Sequence, residues 1–203
     1  MTPNDNAKIG GLLLAAGGSA RFGSPKQLAR LEGKTLLRRA AEALVNSQCD
    51  PVVVVLGAEI EGSQTEIADL SLTICINKDW QSGMSGSIIA GLIAVLRIEP
   101  DLTAVMITLC DQPYVTTAKI DLFAAKFRAE PTDVIAAEYD GVKGVPALFA
   151  RPMFDQLLKL HGDTGARDLI RNREGDPTIN MTEAAFDIDV LDDLESAILP
   201  GGN

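Results

Sequence analysis

The segment Leu14 to Lys26 reads LAAGGSARFGSPK. Small residues at Ala15, Ala16, Gly17, Gly18 and Ser19 let backbone N–H groups approach an anion closely. Arg21 and Lys26 add two fixed positive charges, and no acidic residue interrupts the segment. The chemistry on offer is capture of a phosphate chain. This is not a Walker A loop, because Gly23 is followed by Ser24-Pro25-Lys26 and Pro25 removes a backbone donor. The spacing of Gly17, Gly18 and Gly23 does not give the Gly-x-Gly-x-x-Gly dinucleotide pattern either.

Four further segments carry groups that could act with this loop. Asp111, in Leu109-Cys110-Asp111-Gln112-Pro113, is a candidate Mg²⁺ ligand, since Mg²⁺ binds through one or two carboxylates plus substrate phosphates. A plain turn aspartate before proline is the alternative. Asp187-Ile188-Asp189 places two carboxylates on one face of a strand, with Asp189 a candidate second metal ligand beside Asp111, although on its own the segment reads rather as a solvated strand edge. In Asn77 to Ser87, the small polar residues Gly83, Ser85, Gly86 and Ser87 suit close approach of a base or ribose, while Trp80 either stacks on a ligand or packs. In His161-Gly162-Asp163-Thr164-Gly165-Ala166-Arg167, a turn leads into a helix, with a side-chain cap available from Asp163 or Thr164. Arg167 then falls in the first turn, where a cation opposes the helix dipole. That conflict points to another task, such as holding a phosphate of a second substrate, with Gly162 and Asp163 beside it.

These groups need a frame that brings them to one edge. Ile9 to Ala15 is a short apolar run that ends at Gly17-Gly18, a buried strand entering a loop. Pro51 to Leu56, Leu72 to Ile76, Ala104 to Cys110 and Val134 to Tyr139 read as further strands. Between them, helical spacing appears after Gly33, at Glu66 to Leu70, at Ser85 to Leu96 and through Phe123 to Phe127, the last capped by Thr116 or Thr117. Alternation of strand and helix implies a mostly parallel sheet with helices on both faces. After Tyr139 the pattern changes: Asp140-Gly141 is a turn signal and Val145 to Phe149 returns as a hairpin partner. Helices near Met153 to Leu160 and Ala166 to Arg173, a last strand near Phe186 to Val190 and a helix from Asp192 to Ile198 complete the reading. Residues 1–203 are read as one domain, with 1–8 flexible. In such sheets, ligands bind at the carboxyl ends of the strands, where Leu14 to Lys26 and Asp111 both fall.

Composition removes several function classes. The net charge is −10, so non-specific nucleic-acid binding is disfavoured and any anion must be held in a local basic pocket. Cys49, Cys75 and Cys110 show no paired spacing, and His161 is the one histidine, so a zinc cluster or a multi-histidine site is excluded. No apolar run reaches membrane-spanning length, and the start of the chain is polar; the expectation is a soluble cytoplasmic protein without membrane or nucleic-acid partners.

Taken together, the segments resemble the nucleotidyltransferases that include the molybdenum cofactor cytidylyltransferases and guanylyltransferases. The resemblance rests on Leu14 to Gly23 with Lys26, on Gly83-Met84 and Ser87, on the Cys110 to Pro113 turn, and on Asp187 to Asp189 followed by Asp192-Asp193-Leu194. It spans nearly the whole chain and implies a three-layer α/β/α, mostly parallel Rossmann-like fold with an antiparallel addition near the C-terminus. It also implies a nucleotide on Leu14, Ala15, Ala16, Gly17, Gly18, Ser19, Gly83, Ser85 and Ser87, with Arg21, Lys26 and Asp111 as catalytic residues. Mg²⁺ would be held by Asp111 and Asp189, and Gly162, Asp163 and Arg167 would take the second substrate. A phosphate oxygen of that substrate would attack the α-phosphate in line, a transfer that positioning and electrostatics suffice to promote. The Ala15-Ala16-Gly17 form resembles the CTP-using members, giving CTP and molybdopterin as the expected substrates and a molybdoenzyme as a possible recipient. The same form occurs in methylerythritol phosphate cytidylyltransferases and amino-sugar uridylyltransferases, and a non-catalytic pterin chaperone is a further alternative.

Overall fold

The computed structural model describes residues 6–18, 22–139, 141–173 and 175–198. In chain order its strands are β1 (Ile9–Ala15), β2 (Arg30–Leu31), β3 (Lys34–Thr35), β4 (Val52–Leu56), β5 (Thr73–Ile76), β6 (Ala104–Leu109), β7 (Val134–Tyr139), β8 (Val142–Ala150) and β9 (Thr178–Asn180). The α-helices are α1 (Leu36–Val45), α2 (Ile60–Ile67), α3 (Met84–Ile98), α4 (Thr117–Ala129), α5 (Phe154–Leu157), α6 (Arg167–Arg171) and α7 (Leu191–Ile198).

The valine-rich and leucine-rich runs, uninterrupted by charged residues, become the centre of the sheet, as burial on both faces requires. Strands β5, β4, β1 and β6 lie parallel in that order. The antiparallel β8 follows beside β6, then β7, then β9, which is parallel to β7. Alternate side chains of each central strand enter different layers. Leu13, Val54 and Met106 pack with Leu37, Leu44 and Phe123 on the face of α1 and α4. Leu12, Val55 and Ile107 pack with Leu92, Val95 and Phe154 on the face of α3 and α5. The mostly parallel sheet flanked by helices, with antiparallel strands late in the chain, is the architecture expected.

Some local expectations are corrected. The helix read at Glu66 to Leu70 lies earlier, as α2, and only Ser63 and Ile67 are buried along it, too sparse a stripe to show as a period. Thr116 precedes α4 but makes no side-chain cap bond, and the Thr117 hydroxyl donates to Ala43 O at 2.9 Å instead. Helix α6 likewise starts without a side-chain cap from Asp163 or Thr164. Phe186 to Val190 is not a strand: no neighbouring strand runs beside it, and the edge strand next to β7 is β9, absent from the sequence reading. Of the N-terminal segment read as flexible, residues 1–5 lie outside the described residues, while Ala7 is buried and Lys8 O accepts from Thr103 N at 2.9 Å. Asp140 of the expected turn also lies outside the described residues. No described helix is long and apolar enough to cross a membrane.

Candidate active site

The parallel strands β1, β4, β5 and β6 all end on the same edge, so the loops that leave them meet there. The loop after β1 is anchored at two points. Phe22 is buried against Leu31, Leu36 and Ile188, and Gln27, also buried, donates from Nε2 to Ala58 O at 3.4 Å. The second anchor lies within a 3₁₀ turn over Lys26–Leu28, which turns the Lys26 ammonium inward. After β6, Cys110 N bonds Leu14 O at 3.3 Å, which fixes Asp111 beside the same loop.

The carboxylates far along the chain arrive by a different device. Ile188 is fully buried in the Phe22 cluster, and its N–H donates to Asp111 O at 3.0 Å. The Asp193 carboxylate accepts from Asp189 N at 2.8 Å and Val190 N at 2.9 Å, tying the segment to the start of α7. An irregular segment thus does what a strand was expected to do, with Asp187 and Asp189 on either side of the buried Ile188.

The result is a three-residue cluster. Lys26 Nζ donates to Asp111 Oδ2 at 2.7 Å and to Asp189 Oδ1 at 2.8 Å. The Lys26 and Asp111 side chains are 16% and 19% exposed, whereas Asp189 is 56% exposed and opens the cluster to solvent. Burial penalises the Lys26 ammonium, but the charges and hydrogen bonds of Asp111 and Asp189 outweigh it and hold its pKa above the ordinary value. Burial, with the nearby Asp111 charge, pushes the Asp187 carboxyl up to about 6. Among the described residues, Lys26 therefore faces an acidic neighbourhood, and a polyphosphate is repelled from it unless a cation accompanies it.

The donor set fits a hard divalent cation. Asp111 Oδ1 is buried and has no hydrogen-bond partner, while Asp111 and Asp189 already converge on one cationic centre. No cluster of three or more His, Cys, Asp or Glu side chains suited to holding a metal occurs among the described residues. Two carboxylates completed by substrate phosphates is the manner in which Mg²⁺ is bound.

A cavity of about 520 Å³ opens over this cluster. Leu14, Ala15, Ala16, Gly17, Lys26 and Asp111 line it, as do Gly83, Ser87, Asp163 and Asp189. Ser85 does not: it is buried, and its N–H bonds Gly162 O at 3.2 Å, so its part is to join α3 to the 162–163 turn. Gly83 has φ of 111°, and a Cβ there would lie 2.3 Å from Asp163 Oδ1, so this junction requires glycine. Gly18 lies against the Trp80 indole, outside the cavity lining. Ser19 and Arg21 lie outside the described residues. Gly162 is exposed and off the lining, and Arg167 opens instead onto a second cavity. His161 is exposed and borders neither cavity. The lining also includes Gln27, Trp80, Gln81 and Met84. Of these, Gln81 has no signal beyond its place in a glycine-rich loop after a strand, and Met84 enters only through the Gly83-Met84 motif of the resemblance.

What the cavity offers is suited to a polyphosphate and its metal, and the class this defines is nucleotidyltransferase. The model of the MobA-like NTP transferase domain matches residues 11–178, and the chain belongs to that family. It is similar to the nicotine blue oxidoreductase of Paenarthrobacter nicotinovorans, 31% identical over 183 residues, 85% of this chain and 86% of that protein. It is also similar to a probable molybdenum cofactor guanylyltransferase of Geobacillus sp. (strain WCH70), 27% identical over 157 residues, 75% of each. Among solved structures, a manganese complex of Rv0371c from Mycobacterium tuberculosis H37Rv shares the fold, with a TM-score of 0.78 at 24% identity over 95% of this chain and 98% of that one.

Proposed function

We propose that the chain transfers a cytidylyl group from CTP to the phosphate of molybdopterin or its molybdenum-loaded form, releasing pyrophosphate. The observation that carries this reading is Lys26 held at 2.7 Å from Asp111 and 2.8 Å from Asp189, with Asp111 Oδ1 still unpartnered. Asp111 and Asp189 would hold Mg²⁺, which supplies charge neutralisation at the α-phosphate when bound. Lys26 remains protonated throughout and stabilises the charge that accumulates on the triphosphate oxygens. The backbone of Leu14 to Ser19 and the side chain of Arg21 would bind the remaining phosphates, with Gly83 and Ser87 on the base and ribose side. An oxygen of the second substrate's phosphate forms a bond to the α-phosphorus as the bond to the bridging oxygen breaks, and that oxygen leaves with pyrophosphate. A phosphate monoester, with a second pKa of about 6, needs no strong base to do this. Gly162, Asp163 and Arg167 lie on the side where the second substrate would enter.

The Geobacillus relative's name supports a molybdenum cofactor substrate, and a manganese-bound protein of the same fold supports a divalent metal. CTP rather than GTP rests on Ala16, which is buried at the cavity wall and whose carbonyl accepts from Ala58 N at 3.0 Å. We place the reaction in the cytoplasm, with a molybdoenzyme as recipient of the product. The test is pyrophosphate release with molybdenum cofactor and each of CTP, GTP, ATP and UTP, with methylerythritol phosphate as the competing acceptor. CTP with the pterin acceptor should turn over fastest. Redox turnover of a dye, and no pyrophosphate from any nucleotide, would instead favour the chemistry in the name of the Paenarthrobacter relative.

A further inference from the structure

Trp80 is the one tryptophan of the chain, and it stands where the loops after β1, β4 and β5 meet. It opens a 3₁₀ turn over Trp80–Ser82 that is tied to its surroundings on both sides. Asp79 N–H donates to Asn77 Oδ1 at 3.1 Å, Asn77 Nδ2 donates to Ser87 Oγ at 3.0 Å, and Gly83 N–H donates to Trp80 O at 3.2 Å. The half-buried indole packs on the layer that holds Leu14, Ala16 and Ile88, and it borders the cavity over Lys26.

Gly57 and Gly18 leave room for this ring at its two ends. A Cβ on Gly57 would lie 2.5 Å from Trp80 Cβ, 2.6 Å from its Cγ and 2.7 Å from Ala16 O. A Cβ on Gly18 would lie 2.5 Å from Trp80 Cη2 and 2.8 Å from Cζ3. The base of the side chain thus meets the loop after β4, and the outer rim of the indole meets the loop after β1. A rigid ring confined at both ends gives little ground to a methyl at either. Gly18 is the cleaner of the two positions. Its φ lies outside the left-handed region, so the backbone there accepts alanine. It also lies off the cavity lining, whereas Gly17 beside it lines the cavity and has nothing within 4 Å of a Cβ. Among the described residues, what a side chain at Gly18 meets is the indole.

We infer that Trp80 is a positioning residue for the nucleotide: its indole is the seat on which Gly18 sets the loop after β1, and its effect on affinity passes through Gly18 rather than through a stack on the base. The inference rests on the reading of the cavity over Lys26 as the nucleotide site. Phosphates bound by backbone groups are held only as well as that backbone is placed, and a loop already seated spares the complex the entropy of ordering it. The two contacts can be separated chemically. Trp80→Phe keeps the Cβ and Cγ that meet Gly57 and loses the outer rim that meets Gly18. A stacked base, by contrast, would find an aromatic face in either residue.

The test is a double-mutant cycle on Trp80→Phe and Gly18→Ala in the whole chain, read with and without nucleotide. Without ligand, Gly18→Ala should shift the Trp80 emission and lower Tm, whereas Gly17→Ala should leave the emission in place. The loss of Tm from Gly18→Ala should disappear in the Trp80→Phe background, where the methyl takes the space that the indole rim vacates. With Mg²⁺, thermal titration should show CTP bound about tenfold more weakly by each single variant, and within about threefold of wild type by the double. Wild-type affinity in Trp80→Phe, or an equal penalty from Gly18→Ala in both backgrounds, would overturn the inference. Ligand-free coupling in a chain whose wild type binds none of CTP, GTP, ATP or UTP counts against the nucleotide site; nucleotide binding without coupling counts against the seat.

Discussion

Asp111→Asn separates the structural from the chemical part of the Lys26 cluster. In the metal-free chain the substitution removes one of two carboxylates from the lysine. Removing a partner from a buried ion pair costs about 3–5 kcal/mol when the remaining charge is stranded. Here Lys26 keeps Asp189 at 2.8 Å, and the asparagine carbonyl can still accept from the ammonium, so the cost falls to about 1–2 kcal/mol. For a chain of this length that is about 2–8 °C in Tm. The effect on ligand binding should be larger in kind. With Mg²⁺ and CTP at one hundred times their dissociation constant, the wild-type chain gains about 2.7 kcal/mol, or about 5–10 °C. A hundredfold loss of affinity in Asp111→Asn would reduce that gain to about 0.4 kcal/mol, near 1 °C. Thermal melts with Mg²⁺ alone, CTP alone and both together read the two effects separately. CTP without metal should stabilise neither protein, because the described groups around Lys26 are acidic. A folded Asp111→Asn chain that keeps the full joint stabilisation, or keeps wild-type turnover, would refute the reasoning.

Three further outcomes follow from the same geometry. Lys26→Met leaves Asp111 and Asp189 facing each other without a cation; stability at pH 7.5 should drop by about 2–3 kcal/mol in urea titrations with chelator, and should recover as the pH is lowered towards 4. The Asp187 carboxyl, pushed up to about 6, holds its proton more tightly folded than unfolded, so its favourable contribution is present below pH 4 and is lost as the pH rises through 6. Asp187→Asn should therefore shift the metal-free urea midpoint upward at pH 7.5 and leave it near wild type at pH 4. Burial pushes the thiols of Cys49 to about 11 and Cys110 to about 12, so a thiol reagent at pH 7.5 should modify neither in the native chain, Cys75 should react slowly, and all three should react in denaturant.

The legible parts of this molecule are those in which local sequence and tertiary role coincide. Strands β1, β4 and β6 are uninterrupted apolar runs because both of their faces are covered, and the topology then puts the loops after β1 and β6 on one edge. That is why Lys26 and Asp111, 85 residues apart, could be read as neighbours. Asp189 could not be read that way. Its position depends on Ile188 finding the Phe22 cluster and on one backbone bond to Asp111, neither of which has a local period. β9 escaped because it is three residues long at a sheet edge, with none of them buried. The second cavity escaped because it is made by a register shift between β7 and β8 and by a glycine, Gly144, under Tyr139, both tertiary in origin. Arg167 was singled out for opposing its helix dipole, and it does line a cavity, although a different one from the cavity over Lys26.

The most direct test of the central claim is the stoichiometry of pyrophosphate release with α-³²P-CTP, molybdenum cofactor and Mg²⁺. The account predicts one pyrophosphate for each label transferred to the pterin, no transfer in chelator, and loss of transfer in Asp111→Asn. A folded chain that releases orthophosphate instead, or that leaves the label in the nucleotide for every base tried, would contradict it.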